Sequence, residues 1–290
     1  MAMRVLVTGG GGRLGRAAVR DLIGHGYAVV DADRLRAPAD DLPAGSDHRF
    51  VETDLTDVGQ VAAAMDGCGA VIHLGAIPSP QAHSPQTVFA NNTGATFAVL
   101  QAAALLGVGR AVIASSLSAL GTIWAPQPFL PRYAPVDEGH PLLPHDAYSL
   151  SKEVDEWTAE MFHRRTGMQI AALRFCWIAS HEEIALAATA ARADPAAKAL
   201  EFWAYVDVRD AASACRLGIE AEGIGFGVFT VTAADTLLDQ PTEAAIRRHA
   251  PAVEIRRPIA GFASACSIDR ARQMLGYAPR WSWRTAETGR

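Results

Sequence analysis

Thr8-Gly9-Gly10-Gly11-Gly12-Arg13-Leu14-Gly15 decides how this chain folds. The stretch links a short apolar run, Arg4–Thr8, to a helical pattern over residues 14–25. Its glycines follow the spacing Gly9-x-x-Gly12-x-x-Gly15. Glycine is required at such a junction because the turn is tight and the backbone must approach a pyrophosphate closely. The helix start then offers free N–H groups and a partial positive charge to that anion. The stretch predicts a strand, a dinucleotide-cradling loop and a helix, in that order.

Outward from this loop the alternation continues. Strand patterns fall at Ala28–Asp33, 48–53, 70–74, 110–115 and Gln169–Phe175, with helical patterns at Val58–Met65, 87–106 and 148–166. Alternating β and α segments predict a parallel, doubly wound Rossmann-type sheet. Near-continuous apolar strands such as Val5-Leu6-Val7 and Ala111-Val112-Ile113 fit a sheet covered on both faces. Residues 1–175 read as the dinucleotide-binding region and 176–290 as mostly a small C-terminal substrate lobe, with elements near 205–232 returning to complete the sheet. In that lobe, alanine-rich helical sequence over 184–200 leads to an extended stretch at 202–206. A helix at 209–222, a strand at 226–232 and short helices at 243–249 and Asp269–Leu275 follow. Residues 121–145 carry six prolines and interrupt the alternation; so long a stretch without regular structure is usually functional or mobile.

The bulk composition narrows the function classes. With 290 residues, half of them apolar, the chain is long enough to bury a substantial core. A net charge of −5 carries no nucleic-acid footprint. No run of 18 apolar residues suggests a membrane span, and the segment before the glycines is too short for a signal peptide. The four cysteines lack metal-binding or C-x-x-C spacing and read as free thiols. The expectation is a cytoplasmic protein with a small-molecule substrate and no metal.

Asp33 ends the second strand, 18 residues beyond Gly15. A carboxylate there can accept hydrogen bonds from an adenosine ribose and would repel a 2′-phosphate, which favours NAD. Asp31 points to the same face and is the less favoured alternative. Arg34, Arg36 and Arg13 keep NADP open, since an arginine can pair with the extra phosphate. Asp54, after the third strand, suits either the adenine amino group or a helix N-cap.

Tyr148-Ser149-Leu150-Ser151-Lys152 places a phenol and an ammonium four residues apart on one helix face. A nearby ammonium favours the phenolate, and the phenol can then take a proton from a substrate hydroxyl. The strand before this helix ends in Ser115-Ser116, and either hydroxyl could hold the reacting oxygen.

In these features the chain resembles the extended short-chain dehydrogenase/reductases, the NAD-dependent epimerase/dehydratases. The resemblance rests on Gly9…Gly12…Gly15, Asp33, Asp54-Leu55, His73-Leu74-Gly75-Ala76, Asn91…Gly94, Ser115-Ser116…Gly121, Tyr148…Lys152 and Leu173-Arg174-Phe175. It implies Ser116, Tyr148 and Lys152 as catalytic residues. It also implies cofactor contacts at Arg13, Leu14, Asp33, Asp54, Leu55, Leu74, Ala76, Asn91, Ser116, Tyr148, Lys152 and Cys176, and a homodimer joined through the two long helices; Gly75, small and at the carboxyl edge of the sheet, would let backbone approach the nicotinamide side.

Departures from the family pattern bear on the substrate. Trp177 stands where nucleotide-sugar members carry an asparagine, and Ser180-His181 replaces their Gly-Pro. Leu117-Ser118 follow Ser116 where 4,6-dehydratases carry Asp-Glu and uronate dehydrogenases Asn-His. The lobe is short, similar to that of uronate dehydrogenases. These features imply an oxidoreductase for a smaller substrate, such as a sugar or sugar acid. A nucleotide-sugar epimerase is the runner-up and a non-catalytic dinucleotide sensor the third reading. Candidate substrate contacts are Ser79, Ser118, Trp124, Tyr133, His140, His145, Trp177 and Trp203, with both Trp177 and Trp203 favoured.

Overall fold

The computed structural model describes residues 3–36, 42, 45–81 and 83–285. The first half runs β1 (Arg4–Thr8), α1 (Arg13–Gly24), β2 (Ala28–Asp33), β3 (His48–Glu52), α2 (Val58–Met65), β4 (Ala70–His73), α3 (Pro85–Leu106) and β5 (Arg110–Ser116). It continues through β6 (Tyr133–Ala134), α4 (Ala147–Thr166), β7 (Gln169–Phe175), β8 (Ile178–Ala179), α5 (His181–Ala193), β9 (Val206–Asp207) and α6 (Val208–Glu220). The chain then forms β10 (Phe226–Val231), α7 (Thr242–His249), β11 (Glu254–Ile255) and α8 (Asp269–Leu275). Seven strands form one sheet in the order β10-β7-β5-β4-β1-β2-β3, and each neighbouring pair is parallel. Strand order reverses between β1 and β4, which opens a crevice at their carboxyl ends.

Alternation along the strands divides the core. Val5 and Val7 face one side with Leu22 of α1 and Cys215 of α6. Leu6 between them faces the other, with Val61 of α2, Leu100 of α3 and Phe162 of α4. Each such side chain contributes roughly 1.5–3 kcal/mol of burial. A separate apolar cluster, including Phe202, Trp203, Tyr205, Leu237 and Ile246, packs the C-terminal lobe.

Three local expectations change. The long helix begins at Pro85 rather than near Thr87, with the Ser84 hydroxyl accepting from Thr87 N at 3.2 Å; proline suits a first turn that needs no N–H bond. The helix expected over 184–200 stops at Ala193, and a 3-10 helix starts afresh at Pro195 (Pro195–Glu201), because a proline ring clashes with a continuing helix. The extended reading of 202–206 shrinks to β9, since Phe202 and Trp203 adopt φ of 50° and 54°. β9 pairs with β8 outside the main sheet, whereas β10 and β7 pair within it.

The proline-rich segment is pinned at defined points. β6 pairs with β11, and Val136 bridges to Cys266. No helix among the described residues is long and apolar enough to cross a membrane.

Candidate active site

The β1/β4 crevice widens into a cavity of about 680 Å³ that runs from the glycine loop to the C-terminal lobe. The loop fits a pyrophosphate in its steric detail. Gly9 has φ +71°, and a Cβ there would fall 2.6 Å from Gly75 N. A Cβ on Gly15 would fall 2.1 Å from Gly9 O. No side chain caps the start of α1, so its first N–H groups remain available to an anion. Gly12, Arg13 and Leu14 line the cavity beside them. The Asp33 carboxylate lies over the loop, accepting from Gly11 N at 3.1 Å and from Arg34 N at 2.7 Å. These residues fit a dinucleotide, with Asp33 placed for a ribose hydroxyl.

Asp31 sits beneath this loop. Burial, reinforced by Asp33, pushes its carboxyl up to about 6.

Further along, Leu74 and Ala76 line the cavity, while Gly75 lies under Leu55, whose Cδ1 would be 2.1 Å from a Cβ at Gly75. Asp54 is exposed and accepts from Thr56 N and Oγ1 at 2.9 and 2.8 Å. The cap of α2 is Asp57, three residues later than the N-cap role considered for Asp54. Asp33, Arg34, Asp54 and Leu55 do not line the cavity itself.

The catalytic candidates converge from β5 and α4. Asp146 caps α4, its Oδ1 accepting from Tyr148 N and Ser149 N at 2.9 Å each, which fixes where the phenol enters the cleft. Lys152 follows one turn later, and Nζ lies 5.9 Å from the Tyr148 ring centroid. Nζ donates to Ala114 O at 2.9 Å and meets Asp155 Oδ2 at 3.2 Å. Burial alone would discharge this lysine, but the carboxylate of Asp155 and the Tyr148 oxygen outweigh it and hold the ammonium above the usual lysine range.

The two serines part company. Ser115 donates to Glu156 Oε1 at 2.5 Å, and that carboxylate also receives Arg174 through two bonds of 2.8 and 2.7 Å. Ser116 Oγ accepts from Ser118 N at 3.0 Å, so its own proton is free to donate. Ser116, Ser118, Tyr148 and Lys152 all line the cavity.

The far wall comes from the lobe and from the proline-rich segment, which brings Trp124. Trp177 and Trp124 line it, and Cys176 contributes a half-buried thiol that desolvation pushes well up, so it stays protonated. Trp203, favoured on sequence as a substrate contact, is instead fully buried in the lobe core, with Nε1 donating to Pro195 O at 2.7 Å. Ser79 also lies off the cavity wall. Tyr133 and His140 pack against each other, ring centroids 4.8 Å apart, and His145 stacks near Phe129. Asn91 is half-buried and donates to Asn92. Asn92 is the asparagine built into the framework, bonded to Ile77 O, Ile77 N and Ser151 Oγ.

Two charged wall residues, Lys198 and Glu201, escaped the sequence reading. Lys198 reaches over Trp177, Nζ 5.3 Å from the ring centroid, and its ammonium meets Glu201 at 3.5 Å. A signal was present: the chain has only two lysines, Lys152 and Lys198, and both line the cavity. Among the described residues, no group of three or more His, Cys, Asp or Glu could hold a metal.

A model of the NAD dependent epimerase/dehydratase family matches residues 5–225. The chain is 32% identical over 187 residues to an NAD-dependent glucose-6-phosphate dehydrogenase of Haloferax volcanii, covering 62% of this chain and 71% of the relative. It is 31% identical over 172 residues to a uronate dehydrogenase of Pseudomonas putida, covering 59% of each. Among solved structures, a short-chain dehydrogenase/reductase superfamily protein from Agrobacterium tumefaciens with bound NAD superposes with a TM-score of 0.72. That match has 25% identity and covers 97% of this chain and 94% of the other.

Proposed function

The chain belongs to the NAD dependent epimerase/dehydratase family, and from that premise we propose that it is an NAD-linked oxidoreductase. Its substrate would be a small polyhydroxy compound, a sugar or sugar acid, reacting at a secondary alcohol or carbonyl. The observation that carries this reading is the convergence of Ser116, Tyr148 and Lys152 on one cavity that opens onto the glycine loop.

NAD, when bound, supplies the hydride acceptor or donor. Tyr148 takes the proton of the substrate hydroxyl as oxidation proceeds, or returns it in reduction. The Lys152 ammonium faces the Tyr148 ring, and Ala114 O anchors it. The Ser116 hydroxyl donates to the reacting oxygen and orients it. Gly9, Gly12, Arg13, Leu14 and Gly15 would hold the pyrophosphate, and Asp33 the ribose. Asp33 supports NAD over NADP, because its carboxylate opposes a 2′-phosphate.

The lobe supports a monosaccharide-sized substrate. Trp177 offers an aromatic face to the apolar side of a sugar ring, and Lys198 with Glu201 offers a donor and an acceptor for hydroxyls. Relatives named for oxidising glucose 6-phosphate and uronates agree with this class. A screen of sugars and sugar acids with NAD and NADP, followed at 340 nm, tests the reading. Tyr148→Phe should keep NAD binding and lose about 10²–10⁴-fold in turnover; unchanged turnover would overturn the assignment. Epimerisation with retained NAD is the second reading, favoured by the family itself. It requires NAD to co-purify and turnover without net absorbance change.

A second copy of the chain would dock on the outer faces of α3 and α4. Phe97 and Leu105 on α3, with Leu150 and Trp157 on α4, are large apolar side chains left 40–66% exposed there. Trp157→Glu should shift sedimentation from dimer to monomer; a monomeric parent would remove this proposal.

A further inference from the structure

Among the described residues, every cation that lines the cavity already has a carboxylate partner. Those cations are Arg13, Lys152 and Lys198, and no histidine joins them. Arg13 is held by Glu183 through bonds of 2.7 and 2.8 Å. Lys152 Nζ meets Asp155 Oδ2 at 3.2 Å. Lys198 Nζ meets Glu201 Oε2 at 3.5 Å. The start of α4, which carries Tyr148 into the cleft, has its leading N–H groups taken by Asp146. The uncapped start of α1 lies at the pyrophosphate end.

Lys198 and Glu201 stand on the substrate side. Ser116 and Phe175 are partners across β5 and β7. Trp177 follows two residues on, and Lys198 lies over its ring. The two charged side chains are 30% and 27% exposed, so water screens them less than a pair on the open surface. Much of the remaining wall is apolar, with Leu117, Leu120, Ile123, Val136 and Leu200. An anionic group entering such a site gives up its water and finds each cation already matched. At Lys198 it also meets the like charge of Glu201. A hydroxyl meets neither cost, since it can donate to the carboxylate and accept from the ammonium.

We infer that the site takes an uncharged polyhydroxy substrate, a neutral sugar or polyol, and that Glu201 is the specificity residue that turns sugar acids and sugar phosphates away. The inference rests on the oxidoreductase reading above and selects one substrate class within it. Glu201 acts against anions twice: it occupies the Lys198 ammonium, and it repels a second negative charge. Without its charge, Lys198 becomes an open anchor for a carboxylate or phosphate.

The test follows NADH formation at 340 nm with matched pairs: galactose and galacturonate, glucose and glucuronate, glucose and glucose 6-phosphate. In the parent, kcat/KM for the neutral member should exceed that for its charged counterpart by about tenfold or more. Glu201→Gln should raise kcat/KM for the charged member by about tenfold and lower it for the neutral one. Adding K198M to E201Q should abolish the gain. Glu201→Ser is read by the same criterion should E201Q fail to fold. A parent that prefers the charged member, or an E201Q protein that gains nothing on any of them, overturns the inference and leaves the oxidoreductase reading standing. Turnover of no member of any pair by any of these proteins strikes the oxidoreductase reading itself, and the inference with it.

Discussion

Arg13, in the glycine loop, meets Glu183, 170 residues away at the start of α5, through two bonds of 2.7 and 2.8 Å. Arg13 also donates to Ile178 O at 3.0 Å, and the Glu183 carboxylate closes a capping box with Ser180. One ion pair thus fastens the cofactor loop to the lobe. Both side chains are more than 40% exposed, so the pair itself adds at most about 1 kcal/mol to stability.

From this follows an asymmetry between two variants. Glu183→Ala loses the capping box and should cost about 1 kcal/mol in thermal stability, but it frees the guanidinium for a phosphate. Arg13→Ala removes the guanidinium. NAD titration by calorimetry should therefore find R13A weakened several-fold and E183A unchanged or tighter. Equal weakening of both would mean that the tie, rather than the charge of Arg13, serves the cofactor.

The two adjacent serines should separate cleanly. Ser116→Ala removes the hydroxyl proposed to donate to the reacting oxygen and should lower turnover by about 10²–10³-fold with NAD affinity kept. Ser115→Ala leaves a buried carboxylate, already held by Arg174, short of one hydrogen bond. It should cost about 1–3 kcal/mol in stability, with turnover largely retained. Comparing kcat with the urea midpoint of each variant checks the division.

Asp31 gives a pH prediction with a definite sign. Its folded carboxyl, pushed up to about 6 from 3.8 by burial and then by Asp33, binds its proton more tightly than in the unfolded chain. Stability therefore falls as pH rises through that window, and above it the ionised group is a burden of up to about 3 kcal/mol. Cofactor-free Asp31→Asn should melt higher than the parent at pH 8, and the difference should vanish below pH 4. Asp210, also pushed up to about 6 by burial, shares the window in both proteins, so the difference between them is the informative quantity. Parallel melting curves at every pH would refute the attribution.

The tryptophans of the lobe should behave in opposite ways. Trp203→Ala empties a fully buried site and should cost about 3–5 kcal/mol. Trp177→Ala, on the cavity wall, should leave the melting temperature nearly unchanged and raise KM for the proposed substrate class. Chemical denaturation and steady-state kinetics on the same preparations distinguish the two.

Much of this protein was legible before its coordinates. The main strands of the sheet follow from short apolar runs, because a strand covered on both faces has little choice but Val, Ile, Leu and Ala. The glycine loop was readable because close backbone approach leaves no room for a Cβ. The placement of Tyr148 one turn before Lys152 was readable because helical geometry is fixed. Where the chain leaves regular patterns, the reading weakened. The left-handed turn at Phe202 and Trp203 has no local signature, since bulky residues adopt it only when surrounding packing compels them.

By itself the sequence determined the Rossmann-type sheet, the dinucleotide loop and the identity of the Tyr148/Lys152 pair, all set by short-range sterics and periodicity. The tertiary structure alone decided which neighbours those residues have. It gave Ser115 to Glu156 and left Ser116 open, took Trp203 into the core, and brought Lys198 to the cavity. Hydrogen-bond partners and buried charge pairs depend on contacts between elements distant in the chain or on how an element is turned toward its neighbours, and no local pattern encodes them.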